Sequence, residues 1–177
     1  MEIKYVHTFP ELDVEEFENL LANQDFNQTL EKLPNVASRK LLEEKNLGGG
    51  KRYTKVQYEA KGVPEQARKF IGEGAVGWIE EVDFNRNTHV HNFRLIPSRM
   101  KDKVECEGKY ILEPVGPQGG TKRTVTMNIR IKMFGLGKLI EKMAKPFLEA
   151  NAQAEEKLTR DYIKKHIDEI KSSKKKK

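Results

Sequence analysis

The sequence predicts an α+β fold: a curved antiparallel sheet of about seven strands wrapped around a long C-terminal helix, with two short helices after strand 1. Three observations predict it. Residues 36–133 alternate apolar and polar side chains in short runs separated by turn residues, the period of half-buried strands. Beyond them the period becomes helical, with Leu139, Ile140, Met143, Phe147, Asn151, Ala154, Leu158, Ile163, Ile167 and Ile170 at that spacing. Ahead of residue 36, one alternating run precedes two short segments that carry helix-start signals.

In order, residues 3–9 form a strand with Ile3, Tyr5, His7 and Phe9 on one side, ended by Pro10. Asp13 caps the first helix, Glu16 completes a capping box, and Leu12 and Phe17 occupy the hydrophobic-staple positions. Val14, Phe17, Leu20 and Leu21 supply its buried face. Asp25 begins a second short helix with Gln28 three residues on, and Pro34 stops it.

Strands at 36–45 and 52–60 flank Gly48-Gly49-Gly50 as a hairpin, and Pro64 opens a helical stretch closed by Gly72. Strands follow at 76–84, 88–96, 104–113 and 123–133. The last is clearest, with Val125, Met127, Ile129, Ile131 and Met133 facing one way. A two-residue loop at Arg86-Asn87 keeps the apolar parity of its hairpin, setting Phe84 opposite His89 and Val82 opposite His91. Gly135 and Gly137 allow a tight strand-to-helix corner. Pro146, inside the helical pattern, predicts a kink or break one turn before it.

At 177 residues the chain suits one domain over 1–170, followed by a disordered lysine-rich tail at 171–177. Of the net charge of +6, +5 lies in residues 164–177, so the body is close to neutral. The tail lysines Lys174, Lys175, Lys176 and Lys177 can make weak contact with an anionic membrane. No aromatic residues interleave with them, which argues against specific nucleic-acid binding. No apolar run approaches the ~20 residues of a membrane span, and the first residues, MEIKYVHTF, lack a signal-peptide core. The expected location is cytoplasmic. Cys106 is the single cysteine, so no internal disulfide forms. It alternates with Val104 and Tyr110 and reads as a small buried hydrophobe.

The order strand, two short helices, six strands and long helix resembles the START and Bet v 1-like (helix-grip, SRPBCC) superfamily. Three stretches resemble a bacterial family within it, domain of unknown function 2505. They are VPEQARKFIG at 63–72 followed by Trp78, the strand entering FGLGKLIEK at 134–142, and the helix carrying Glu155 and Glu156. The resemblance implies a cavity between the sheet and the last helix that takes a hydrophobic or amphipathic, lipid-like molecule. It transfers no catalytic residue and implies no cofactor.

The inward-facing candidates for lining such a cavity are Trp78, Phe84, Phe93, Tyr110, Met127, Ile129, Met133, Met143 and Phe147. A packed core has the same periodicity as a lined pocket, and the lean towards a cavity comes from the resemblance. His89 and His91 form an H-x-H on one strand, and Glu80 shares the parity of Trp78 and Val82. These three predict a polar patch inside the cavity that orients a ligand's polar end. A cyclase- or hydrolase-type enzyme using the His89/His91/Glu80 face is the alternative, and a ligand-free interaction scaffold a third reading. With His7 the histidines do not reach a convincing metal-ligand spacing. GGGK at 48–51 precedes a strand and lacks the spacing of a phosphate loop.

Overall fold

The computed structural model describes residues 1–174 except 64, 66, 67, 70–75 and 118. The helix expected at 64–72 lies largely outside the described residues. β1 (Glu2–Phe9) leads into α1 (Val14–Ala22), α2 (Gln24–Thr29) and a 3-10 turn at Leu30–Lys32. Six strands follow: β2 (Val36–Gly48), β3 (Lys51–Ala60), β4 (Gly77–Asn85), β5 (Val90–Pro97), β6 (Val104–Val115) and β7 (Gly120–Ile131). α3 (Gly137–Lys174) closes the order. The sheet runs β1-β7-β6-β5-β4-β3-β2 and is antiparallel throughout. Three register shifts lie along the β2–β3 pairing. Each bulge adds local twist and bends the strand, which curls that end of the sheet.

The first helix is built as its sequence dictates. Asp13 accepts from the Glu16 backbone N–H, and Glu16 accepts from the Asp13 N–H, both at 2.9 Å. Leu12 and Phe17 are fully buried in one cluster with Phe9, Leu20, Phe26, Leu112 and Ile163. The second helix starts earlier than expected. Its cap is Asn23, not Asp25: the Asn23 side chain accepts from Phe26 N–H at 2.9 Å, so a single residue ends α1 and begins α2.

The β4–β5 turn corrects the expected register. Val82 pairs with Phe93 and Asp83 with Asn92, a slip of two residues from the predicted pairing. Residues 86–89 form a four-residue turn, with His89 in the left-handed region at φ 54°. The Asn85 side chain takes the Asn87 N–H at 3.1 Å, holding the longer turn by a local bond that competes with a two-residue loop. An even-length turn preserves parity, so the inward residues of β4 and β5 remain those expected.

At the corner before α3, Gly135 has φ +72°, and a Cβ on Gly137 would stand 2.3 Å from the Ile131 carbonyl oxygen. Glycine is required there because the helix start presses directly on the end of β7. Phe134 and Leu139 are exposed at this corner, so Leu139 does not join the buried face. The helix is continuous through Pro146; its one non-helical residue among those described is His166 (φ −119°, ψ 20°). The break therefore lies twenty residues beyond the proline, not one turn before it. The helix also takes in residues 171–174, so the expected tail is helical there.

Candidate functional site

Between the concave face of the sheet and the first half of α3 lies a cavity of about 510 Å³. Protein interiors seldom leave voids larger than a water molecule, so a space of this size is a built feature. Its origin is legible in the helix. Residues 159–170 pack Thr159, Ile163, Ile167 and Ile170 tightly, Ile163, Ile167 and Ile170 against α1 and α2. Earlier in its course the helix turns small residues, Ala144 and Ala152, together with Asn151 towards the sheet, and they do not fill the gap.

Of the twelve residues singled out in the sequence, eight line this space: Trp78, Glu80, Phe84, Phe93, Tyr110, Met127, Ile129 and Phe147. Met133 lies beyond the end of β7 and Met143 is half-buried on α3; neither lines the cavity. His89 and His91 do not line it either, which corrects the expected polar patch. His91 is buried against the rings of Phe84 (centroids 5.4 Å) and Tyr110 (5.1 Å), which do line it.

Both histidines instead meet Glu18 of α1. His89 Nδ1 donates to Glu18 Oε1 at 2.9 Å, His91 Nε2 stands 3.4 Å from the same oxygen, and Arg86 Nε donates to Oε2 at 3.1 Å. The His91 contact is too poorly aligned to count as a hydrogen bond, and Nε2 has no hydrogen-bond partner among the described residues. Asn85 N–H donates to His91 Nδ1 at 3.2 Å, which fixes the proton on Nε2. Burial would raise the Glu18 pKa, but contacts from His91, His89 and Arg86 outweigh it and hold the carboxyl below its usual range. The sequence gives Glu18 the look of a solvated helix residue. It is an anchor that ties α1 to the β4–β5 turn; His91 shares the inward sheet face with Glu80 but sits at its α1 end outside the cavity, and His89 lies in the turn.

The polar groups that do reach the cavity are only partly foreseen by the sequence. Glu80 Oε2 accepts from the Tyr58 hydroxyl at 3.0 Å, and Tyr58 accepts from Arg39 Nε at 3.0 Å. Tyr58 stacks flat on Trp78 with centroids 4.9 Å apart. Burial raises the pKa of Glu80, only partly offset by the Tyr58 hydrogen bond and the Arg39 charge. Burial likewise raises Tyr110, and Cys106, also on the wall, is pushed up to about 12, which leaves it an inert thiol.

On the opposite side Arg123 is buried and donates to Glu155 Oε1 at 2.7 Å and to His7 Nδ1 at 3.2 Å. A ring nitrogen that accepts from arginine carries no proton, so His7 presents Nε2–H towards Glu156 Oε2 at 3.3 Å. Burial and then the Arg123 charge lower the His7 pKa, in keeping with a neutral ring. Arg123 falls on the same inward parity as Val125 and Met127, and that misplaced charge is the signal that could have found it. Tyr5 Oη and Asn151 Oδ1 are buried on the same wall without a hydrogen-bond partner among the described residues. Among the described residues no group of three or more His, Cys, Asp or Glu side chains could hold a metal, and no helix is long and apolar enough to cross a membrane.

A seven-stranded antiparallel sheet curled against a long C-terminal helix, with a cavity between them, defines a START/Bet v 1-like fold. The chain belongs to the family described as "Protein of unknown function (DUF2505)", whose model matches residues 4–163. Solved structures agree on the fold. TTHA0849 from Thermus thermophilus is 17% identical with a TM-score of 0.64, covering 92% of this chain and 99% of that one. Ara h 8.0201 is 16% identical (TM-score 0.59; 92% and 97% covered). A START superfamily protein from Mycobacterium smegmatis is 16% identical (TM-score 0.58; 91% and 98% covered). No curated protein matches the sequence.

Proposed function

We propose that this protein is a non-catalytic binding or carrier module for a hydrophobic or amphipathic small molecule held between the sheet and α3. The observation that carries this reading is the cavity itself, about 510 Å³ and walled mainly by apolar and aromatic surface, with charged side chains such as Arg39, Lys61, Glu80 and Arg123 among its lining. That volume falls within the range of small-molecule pockets, ~300–1,000 Å³. Met127 gives part of the wall a flexible, polarizable surface suited to an apolar guest. His89 and His91 meet Glu18 outside the cavity while Glu80 lines it, which supports a binding reading over one that uses the three together. The lysines from 174 onward would add a weak, salt-sensitive attraction to anionic lipid, of about 1 kcal/mol each near a surface.

The test is direct. Natively purified protein is denatured and the released small molecules are identified by mass spectrometry. In parallel, an apolar fluorescent probe is titrated into the wild type and into Met127→Trp. Saturable binding at about micromolar Kd, near −8 kcal/mol, that is lost in the folded variant is the expected result. A panel of apolar probes that shows no saturable binding to wild type overturns the reading.

A further inference from the structure

Among the described residues three carboxylates line the cavity: Glu44, Glu80 and Glu155. Two of them are matched by a cation. Arg52 Nη1 donates to Glu44 Oε1 at 2.9 Å, and Arg123 Nη1 to Glu155 Oε1 at 2.7 Å. Glu80 makes no ion pair with any described residue; its hydrogen bond comes from the Tyr58 hydroxyl. Arg39 is close enough to be felt, lying 5.5 Å from the Tyr58 ring centroid, but its hydrogen bonds go to the Tyr58 hydroxyl oxygen and to Asn27 Oδ1, both at 3.0 Å. A carboxylate held out of water with one neutral donor is costly, and Glu80 lines the cavity with acceptor capacity beyond that one bond.

The surroundings of Glu80 suit a cation. Trp78 lies two residues before it on the same face of β4, with Tyr58 stacked upon it, and Phe93 and Tyr110 also line the space. Aromatic faces attract an ammonium that has left water, and a carboxylate beside them supplies the counter-charge. Building on the cavity reading, we propose that the ligand is a lipophilic amine: an apolar body in the cavity whose ammonium group pairs with Glu80 beside Trp78. A fatty acid would bring its own carboxylate against Glu80. An alcohol could donate one hydrogen bond but would leave the carboxylate without a counter-charge.

Three probes with one alkyl chain separate these cases: dodecylamine, 1-dodecanol and dodecanoate, titrated below micelle formation at pH 7.5 by calorimetry. Wild type is expected to bind the amine roughly tenfold or more tighter than the alcohol, because both donate to the carboxylate but only the ammonium supplies its counter-charge. Dodecanoate is expected to bind weakest. The chain's net +6 charge attracts the acid and repels the amine, so its overall field cannot produce that order. Glu80→Gln should erase the amine preference while the alcohol's affinity changes less than about threefold. Equal binding of all three, or tightest binding of dodecanoate, overturns the amine assignment and leaves the cavity reading standing. If none of them binds saturably, the cavity reading falls as well. The wild-type ranking decides the matter even if the variant does not fold.

Discussion

Glu18 and Glu80 are both glutamates taken out of water, and their neighbours drive them in opposite directions. Glu18 is held below its usual value, so its contribution to stability is present above about pH 4.5 and is lost as pH falls through its lowered pKa. Glu18→Gln should therefore cost stability at pH 7, about 1–3 kcal/mol for the lost charged hydrogen bonds. The gap between the variant and wild type should close in acid, as followed by urea melts from pH 7 to pH 3. For Glu80 the sign reverses. Its folded-state pKa is raised, so the charged form burdens the fold as pH climbs through that value. Burial is the main cause, Tyr58 and Arg39 oppose it and Glu155 adds to it, while Tyr110 and Cys106 also feel the Glu80 charge. Glu80→Gln should melt higher than wild type at pH 8 and converge with it towards pH 4. At this scale strand parity is a good guide, since it places Glu80 inward with Trp78 and Val82. It cannot show that His89 leaves the strand at positive φ, because the turn is held by Glu18 and by the Gly49-Gly50 turn as well as by the local Asn85 bond.

At the scale of elements, boundaries and faces are legible while partners between elements are not. The capping box and staple of α1 involve contacts within a few residues, and sequence spacing reports those directly. The docking of α1 through Glu18 joins residues about seventy apart, and nothing in the local pattern announces it. Pro146 shows the same limit from the other side. Proline removes one helical hydrogen bond and crowds the preceding turn, which is why the sequence predicts a kink. Here the helix keeps its course at Pro146, and the bend falls at His166, whose ring stacks on Tyr162 (4.4 Å) and meets Glu169 at 3.0 Å. The proline still costs helix stability. Pro146→Ala should raise the protein's stability by about 1–3 kcal/mol by restoring a donor and relieving crowding. Because the cavity-lining residues Ala144 and Phe147 flank it, the same variant should slow probe release in stopped flow. An unchanged release rate would show that this turn of α3 does not open.

For the whole molecule the question left by the sequence is whether the inward aromatic and methionine residues fill a core or line a space. Side-chain periodicity is identical in the two cases, so the answer lies in volumes across the interior. Opposite the aromatic wall of Trp78, Phe93 and Tyr110, α3 brings Ala144 and Ala152, and the sheet curls at β2 and β3 instead of closing the gap. An unfilled interior forgoes packing energy, and a guest restores it. A ligand at about one hundred times its Kd should stabilise the fold by ~2.7 kcal/mol. For a domain of this size that is a rise in Tm of about 5–10 °C. Ala152→Phe separates filling from recognition, because it adds a ring at a helix position that lines the cavity. The folded variant should melt higher than wild type without ligand, and its Tm should no longer respond to added ligand. Loss of folding would mean that the space collapses in solution and that the interior is already packed, leaving the scaffold reading. A variant that folds, melts at the wild-type temperature and keeps the full ligand response would place the binding site elsewhere on the protein.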